Sequence, residues 1–242
     1  MRSSGWSFET AISDTVCASR CAALAASAMR ARMAARRAET SEARSFMGSV
    51  QLLAAQAARL NRAAGAPAIP SLYFFTDPVR TPDPCAIARK LPRGTCVVYR
   101  HFGAPERFRT ARRLAALTRA RALTLLIAAD PELAQHVGAD GVHWPEERLA
   151  ARAGERLMTA AAHSPAAIAR AAAAGANACV LSPVFPTRSA SGNPPIGLFR
   201  ASQMARTSPI PVIALGGVNA NSARLLAGRG FAGCAAVDAF GA

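Results

Sequence analysis

The sequence predicts an α/β protein folded as a (β/α)8 TIM-type barrel, and three observations predict it. After Pro70, eight short apolar runs rich in β-formers alternate strictly with helix-period segments or loops. Such alternation implies right-handed βαβ units and a parallel sheet, and eight is the strand number that closes a barrel. No stretch of eighteen consecutive apolar residues occurs, because Arg170 breaks the most Ala-rich run, so a membrane helix is not expected. An open doubly wound sheet is the alternative topology, but no G-x-G-x-x-G follows the first run to mark a dinucleotide site.

The expected strands are 72–76, 96–100, 123–128, 141–144, 157–163, 179–184, 212–216 and 234–240. Between them lie the expected helical or loop segments 84–91, 106–121, 131–137, 146–153, 165–174, 198–206 and 221–227. Ser164-Pro165 reads as a helix start, a capping hydroxyl followed by a residue whose φ is preset for the first turn. The chain stops at Ala242, directly after the eighth run, so the eighth helix is expected to be missing.

Ahead of the barrel, Phe46, Val50, Leu53, Ala57 and Leu60 recur at threes and fours, the signature of an amphipathic helix face. Gly65, Pro67 and Pro70 end it. This helix, within 41–66, is expected to cover the flank of strands eight and one that an eighth helix would otherwise cover. Residues 1–40 form an Ala/Ser/Arg-rich extension in which Arg20 splits any apolar core of a secretory signal. An organellar transit peptide, an ordinary tail and a start misplaced upstream of Met33 or Met47 stay open for it. The expected domains are therefore the extension 1–40, the helix 41–66 and the barrel 67–242.

With 51% hydrophobic and 18% charged residues, 242 residues can bury a sizeable core, and at 6% aromatics that core is built from small side chains. A disordered acidic tail, a collagen-like fibre and a disulfide-stapled miniprotein are excluded. Six cysteines at scattered spacings (Cys17, Cys21, Cys85, Cys96, Cys179, Cys234) read as reduced thiols of a cytoplasmic protein. The net charge is +15, with 29 basic residues of which only Lys90 is a lysine. Such a balance suits polyanions or phosphorylated small molecules, yet the arginines are dispersed with no aromatic-interleaved basic block. Solvated helix faces account for most of them, and nucleic acid is not the expected partner.

In barrels the active site forms where strands end at their C-terminal mouth. Reading the run ends gives Thr76 and Asp77, Arg100 and His101, Ala128 and Ala129, His143, His163 and Ser164, the segment 182–191, Gly216 and Gly217, and Val237 and Asp238. Gly216 and Gly217, with Asn219 and Asn221 behind them, offer main-chain N–H groups to an anion, and with Val237 and Asp238 they mark where many barrels hold a phosphate. A tight left-handed turn that needs glycine for steric reasons explains the same pair, and the Asp238 carboxylate opposes a phosphate unless it turns away. The loop bearing Thr187, Arg188 and Ser189 suits a lid that contacts phosphates through hydroxyls and one guanidinium, or is a plain surface loop. His163 and His143 each read either as a proton shuttle at the mouth or as a packed, hydrogen-bonded residue.

Four collinear motifs, Gly138–His143 (GADGVH), Ser182–Thr187 (SPVFPT), Pro194–Gly197 (PPIG) and Pro211–Val218 (PVIALGGV), together with Leu72–Asp77 (LYFFTD), resemble the thiamine-phosphate synthase/TenI family. The resemblance covers about residues 70–242. It implies a (β/α)8 barrel and one of two reactions. Synthases of the family join a pyrimidine diphosphate to a thiazole phosphate with Mg2+ assisting the departing diphosphate. The TenI branch tautomerises a thiazole phosphate carboxylate with a histidine as acid and base. By resemblance, Gly216, Gly217, Val237 and Asp238 form the phosphate site, and Thr187 and Ser189 stand where synthases place diphosphate-binding hydroxyls. Arg100 stands at a basic position of the synthases, and His163 at the tautomerase histidine.

Several positions depart from the synthase pattern. Ala128-Ala129 replaces Asn-Asp and Arg148 replaces an acid, so no metal site is expected, since Mg2+ needs carboxylate oxygens. Phe102 and Ala190 replace basic residues, and Ala161 replaces a serine. The implied function is thiamine biosynthesis on a thiazole phosphate, with the diphosphate and Mg2+ ligands degenerate, His163 and Arg100 as the catalytic pair, and Thr187, Arg188, Ser189 and His143 binding substrate. The alternatives are an active synthase with a rewired diphosphate site and a non-catalytic barrel that binds phosphate ligands for regulation. The expected partner is a small-molecule phosphate, without membrane, and a homo-oligomer is compatible with the pattern.

Overall fold

The computed structural model describes residues 29, 31–37, 47–151, 154, 156–187 and 194–240. The chain divides into two units, Met1–Ser45 and Phe46–Ala242. In the first, residues 29 and 31–37 are helical. The second contains the barrel.

Eight parallel strands close on themselves in sequence order. They are β1 (Leu72–Phe75), β2 (Cys96–Tyr99), β3 (Thr124–Ala128), β4 (Gly141–Trp144), β5 (Leu157–Ala162), β6 (Ala178–Leu181), β7 (Val212–Ala214) and β8 (Phe231–Ala236). Closure runs through β8 onto β1, with Leu72 opposite Cys234 and Phe74 opposite Ala236. Successive side chains point to opposite faces. Tyr73 and Phe75 therefore turn inward with Val98, Leu126 and Val180, while Leu72, Phe74, Val97 and Leu125 turn outward onto the helices. Both faces are buried, which is why the runs read as almost unbroken apolar sequence.

Six strands end earlier than the apolar pattern suggested, because the chain leaves the ladder there, while β3 and β4 end where expected, at Ala128 and Trp144. The Arg100 amide donates to Thr76 Oγ1 and the His163 amide to Glu146 Oε2, so both residues stand on the rim. The eighth strand begins earlier than expected, at Phe231, and ends at Ala236, followed by a 3-10 turn at Asp238–Phe240.

The helices are α1 (47–63) and α2 (Pro84–Ala88), α3 (Arg107–Arg121), α4 (Pro131–Val137), α5 (Pro165–Ala173) and α6 (Leu198–Arg206). Three of them start in one way: Asp83, Asp130 and Ser164 cap the amides of Ala86, Leu133 and Ala167, each with proline next. The segments 146–153 and 221–227, expected as helix or loop, hold the 3-10 turns Glu146–Arg148 and Ser222–Leu226. Each is cut short when the next residue, Leu149 or Ala227, swings to extended ψ.

Helix α1 buries the face its spacing predicted: Val50, Leu53, Ala57 and Leu60 join the same core as Leu72, Phe231 and Phe240. Val50, Leu53 and Leu60 each contribute about 1.5–3 kcal/mol on burial, and the Ala57 methyl less. Asn61 fastens the end of the helix. Its Nδ2 donates to Ala66 O (2.7 Å), Ile69 O (3.3 Å) and Ala232 O (3.2 Å), the last within β8. Helix α1 thus packs on β8, and Ala66 and Ile69 enter the apolar cluster of the barrel interior. Residues 41–46 of the expected helix lie outside the described residues.

Cys85, Cys96, Cys179 and Cys234 are buried free thiols. Burial pushes Cys179 and Cys234 up to about 12, so both are protonated and unreactive at neutral pH. Cys17 and Cys21 lie outside the described residues. Among the described residues, no helix is long and apolar enough to cross a membrane.

Candidate active site at the C-terminal mouth

A cavity of about 410 Å³ opens at the C-terminal mouth, where strand ends from all round the barrel converge. Phe75, Ala128, His143 and Val180 line it among inward-facing residues, and Arg80, Arg100, Phe102, Glu147, His163, Thr187 and Asp238 come from the loops above. Gly216, Gly217 and Val237 complete it. The cavity thus brings together His163, Arg100, Gly216, Gly217, Val237, Asp238, Thr187 and His143. Arg188 and Ser189 lie outside the described residues, as does Ala190.

His163 stands just beyond β5 with its ring exposed. Its Nδ1 is 2.7 Å from the Ser182 carbonyl oxygen. A carbonyl only accepts, so Nδ1 carries the proton, and in the neutral ring Nε2 is left as the basic nitrogen. The main chain at His163 is held by Glu146, which also pairs with Arg170 of α5.

His143, by contrast, is buried beneath the mouth. Its Nδ1 lies 2.9 Å from Thr159 Oγ1 and its ring meets Phe75 edge-on at 5.0 Å. Burial, and secondarily the charge of Arg100, pushes its pKa down to about 3, so it is neutral in the working range. It shapes the cavity and carries no charge into it.

Arg100 is fixed at three points: its Nε donates to Thr76 O (2.9 Å), its guanidinium lies 5.2 Å from the Phe75 ring centroid, and its Nη2 is 3.9 Å from Asp77. Asp77 also accepts from the amides of Val79 and Arg80 and pairs with Arg80 at 3.1 Å. Desolvation alone would raise this carboxyl, but those amides and the Arg80 guanidinium outweigh it and hold its pKa below the ordinary value. Arg80 reaches onward to Asp238, 3.2 Å and 3.3 Å from its two oxygens. The Asp238 side chain is therefore drawn toward Arg80.

The two glycines after β7 are required sterically. Gly216 has φ +94, and a Cβ there would come within 2.7 Å of Pro183 Cα. At Gly217, φ +64, a Cβ would fall on the Pro186 carbonyl oxygen. The steric reading of this pair therefore holds, and both glycines also line the cavity. No described residue accepts a hydrogen bond from the Gly217 or Val218 amide. The turn behind them is closed by Asn219 Oδ1, which accepts from the Asn221 and Ser222 amides, and by Ser222 Oγ, which donates to Gly217 O.

Residues 72–240 match the family model described as thiamine monophosphate synthase. The chain belongs to the thiamine-phosphate synthase/TenI family of thiamine biosynthesis. Relatives agree with the model. A thiamine-phosphate synthase of Alcanivorax borkumensis is 31% identical over 181 residues, covering 69% of this chain and 83% of that protein. Another, of Bacillus velezensis, is 28% identical and covers 70% of this chain and 82% of its own length. Among solved structures, thiamine phosphate pyrophosphorylase from Pyrococcus furiosus superposes with a TM-score of 0.60 at 27% identity, covering 71% of this chain and 87% of that one.

For the Mg2+ that the resemblance to the synthases implies, the residues present do not fit. Ala128 and Ala129 end β3, and Arg148 is exposed and outside the cavity lining. Asp130 caps α4 and pairs with Arg107 at 2.8 Å, Asp77 and Asp238 are engaged by Arg80, and Glu147 is left as a single carboxylate. Among the described residues, no three His, Cys, Asp or Glu side chains cluster as a metal site. Such a site needs several oxygen ligands around the ion.

Phe102, at a position where the synthases carry a basic residue, places a half-exposed ring on the cavity wall, with the Arg107 guanidinium 5.6 Å from its centroid. Three lining or supporting residues escaped the sequence reading: Arg80, Glu147 and Glu146. The signal for Arg80 was its spacing of three from Asp77 at the end of the first run. Glu146 and Glu147 lay inside a segment read only as helix or loop.

Proposed function

We propose that this protein acts in thiamine biosynthesis on a thiazole phosphate, tautomerising it with His163 as general acid and base and without a metal ion. The observation that carries the reading is the His163 Nδ1 contact to Ser182 O at 2.7 Å, in a cavity that also contains Gly216 and Gly217. With Nδ1 protonated and bonded, neutral Nε2 is free to accept a proton from one carbon of the conjugated ring system. The resulting imidazolium returns a proton at another carbon, so the charge on the ring is transient and the atoms balance. The phosphate is held on the Gly217 and Val218 amides and at Val237 and Asp238. Arg100 supplies positive charge toward the ligand's carboxylate, and Thr187 offers it a hydroxyl from the cavity wall. His143 shapes the floor beneath the thiazole.

Incubating the purified protein with the thiazole carboxylate phosphate tautomer, in EDTA, and following isomerisation by NMR tests this. Catalysed isomerisation that disappears in His163→Ala is the expected result. Undiminished activity in that variant removes the assigned base.

A second reading, an active thiamine-phosphate synthase with a rewired diphosphate site, is favoured by the relatives that bear the synthase name. It predicts thiamine phosphate from the two precursors, and rescue of a thiamine auxotroph. In either reading the ligand is a small phosphate ester and the setting cytoplasmic, in keeping with the buried free thiols.

A further inference from the structure

We infer that Arg80 is a direct phosphate ligand of this cavity and that Asp238 is the counter-ion which the phosphate displaces. This rests on the reading of the cavity as a phosphate-ester site and adds a specificity-determining residue to it.

A carboxylate beside main-chain amides offered to an anion is a contradiction unless its charge is met. Asp238 lines the cavity with Gly217, Val218 and Val237, and with Gly217, Val218, Asn219 and Thr187 it also lines an adjoining open recess. Its charge is met by Arg80, which faces both Asp238 oxygens. The two ends of the Arg80 fork are held unequally. On the β1 side, Asp77 is anchored by the amides of Val79 (3.1 Å) and Arg80 (3.0 Å), with Arg80 Nη2 at 3.1 Å. Asp77 N also lies 2.6 Å from Thr81 Oγ1. On the β8 side, among the described residues, Asp238 has Arg80 as its one side-chain partner, and 41% of that carboxylate side chain is exposed.

The weaker link is the one that faces the ligand. An ion pair this exposed contributes little, so giving it up costs little. A phosphate offers three oxygens where Asp238 offers two, and it can take Arg80 from one side and the Gly217 and Val218 amides from the other. Asp77 keeps the guanidinium in place throughout, while Asp238 turns to water. One guanidinium and a pair of amides match one phosphate group, so the class of ligand is a monophosphate ester.

Titration calorimetry of the full chain with thiazole phosphate at low ionic strength tests this. Arg80→Gln is expected to weaken binding by about tenfold or more, the loss of a charge-assisted hydrogen bond, with Arg80→Lys intermediate. Asp238→Asn is expected to tighten binding about fivefold, since the competing carboxylate is gone. In the Asp238→Asn background, Arg80→Gln still costs about tenfold if the contact is direct. Loss of that second effect means Arg80 only neutralises Asp238, and overturns the ligand role. Unchanged or weaker binding in Asp238→Asn overturns the counter-ion role. Wild-type binding that Arg80→Gln leaves intact removes Arg80 alone, whereas no wild-type binding removes this inference and the phosphate-ester reading together.

Discussion

The Nδ1 atom of His163 and the carbonyl oxygen of Ser182 are 2.7 Å apart, a contact between the end of β5 and the end of β6. It decides which ring nitrogen can do chemistry, because the acceptor is a main-chain carbonyl that no protonation change can turn into a donor. The adjacent strands β5 and β6 deliver both residues to the rim, and Glu146 holds the His163 main chain there.

From that relationship, His163→Ala is expected to slow tautomerisation by about 10²–10⁴-fold, the usual range for losing a positioned acid/base. Thiazole phosphate affinity should change little, because the proposed phosphate site lies elsewhere on the rim. Comparing kcat with a Kd from calorimetry separates the two. A loss confined to affinity would show that His163 binds and does not transfer protons.

His143 gives a pH prediction of definite sign. Its ordinary pKa of 6.5 is pushed down to about 3, by burial first and the Arg100 charge second. Below pH 6.5 the unfolded chain takes up a proton that the folded ring refuses until about pH 3. Stability therefore falls as the pH drops through that window, by up to about 1.4 kcal/mol per pH unit. Urea unfolding between pH 7 and pH 4 measures the slope. In His143→Gln the slope should be shallower by about one proton. A residual slope remains from His101, which burial also lowers.

Most of the barrel was legible in the sequence because both faces of its strands are buried, leaving apolar runs bounded by capping residues and prolines. The two segments left open between helix and loop, 146–153 and 221–227, resolve to 3-10 turns for one cause. Around Glu146 and Ser222 the composition suits a helix, but Leu149 and Ala227 turn to extended backbone, which local propensity does not foretell. The rim residues His163, Arg100 and Gly217 were found because chemistry at strand ends is a rule of the fold. Arg80 was not, since its importance comes from Asp238, 158 positions away in the chain. No periodicity reports a pairing of that kind. Asn61 was missed for a similar reason: its partner Ala232 is 171 positions distant.

Asn61 yields the next prediction. Its buried amide serves three carbonyls that tie the end of α1 to the turn after it and to β8. Asn61→Ala leaves those acceptors in a site too buried for water to replace the donor freely. The expected cost is about 2–3 kcal/mol, read by urea unfolding. Should Asn61→Ala match the wild type, α1 would be held by its apolar face alone.

The last prediction runs toward higher stability. Helix α3 ends at Ala122, whose backbone is left-handed at φ 51 and ψ 50, and whose amide closes the helix onto the Arg119 and Thr118 carbonyls. The side chain is exposed, so its methyl group contributes little packing there. An L-residue in that region costs about 1–2 kcal/mol, which glycine avoids, while glycine gives back about 0.4–1 kcal/mol through the freedom of the unfolded chain. Ala122→Gly should therefore stabilise the protein by about 0.5–1 kcal/mol, raising Tm by about 2–3 °C for a chain of this size. Thermal unfolding followed by circular dichroism measures it. A lower Tm would mean that the turn after α3 is held in its left-handed geometry by contacts of the methyl group.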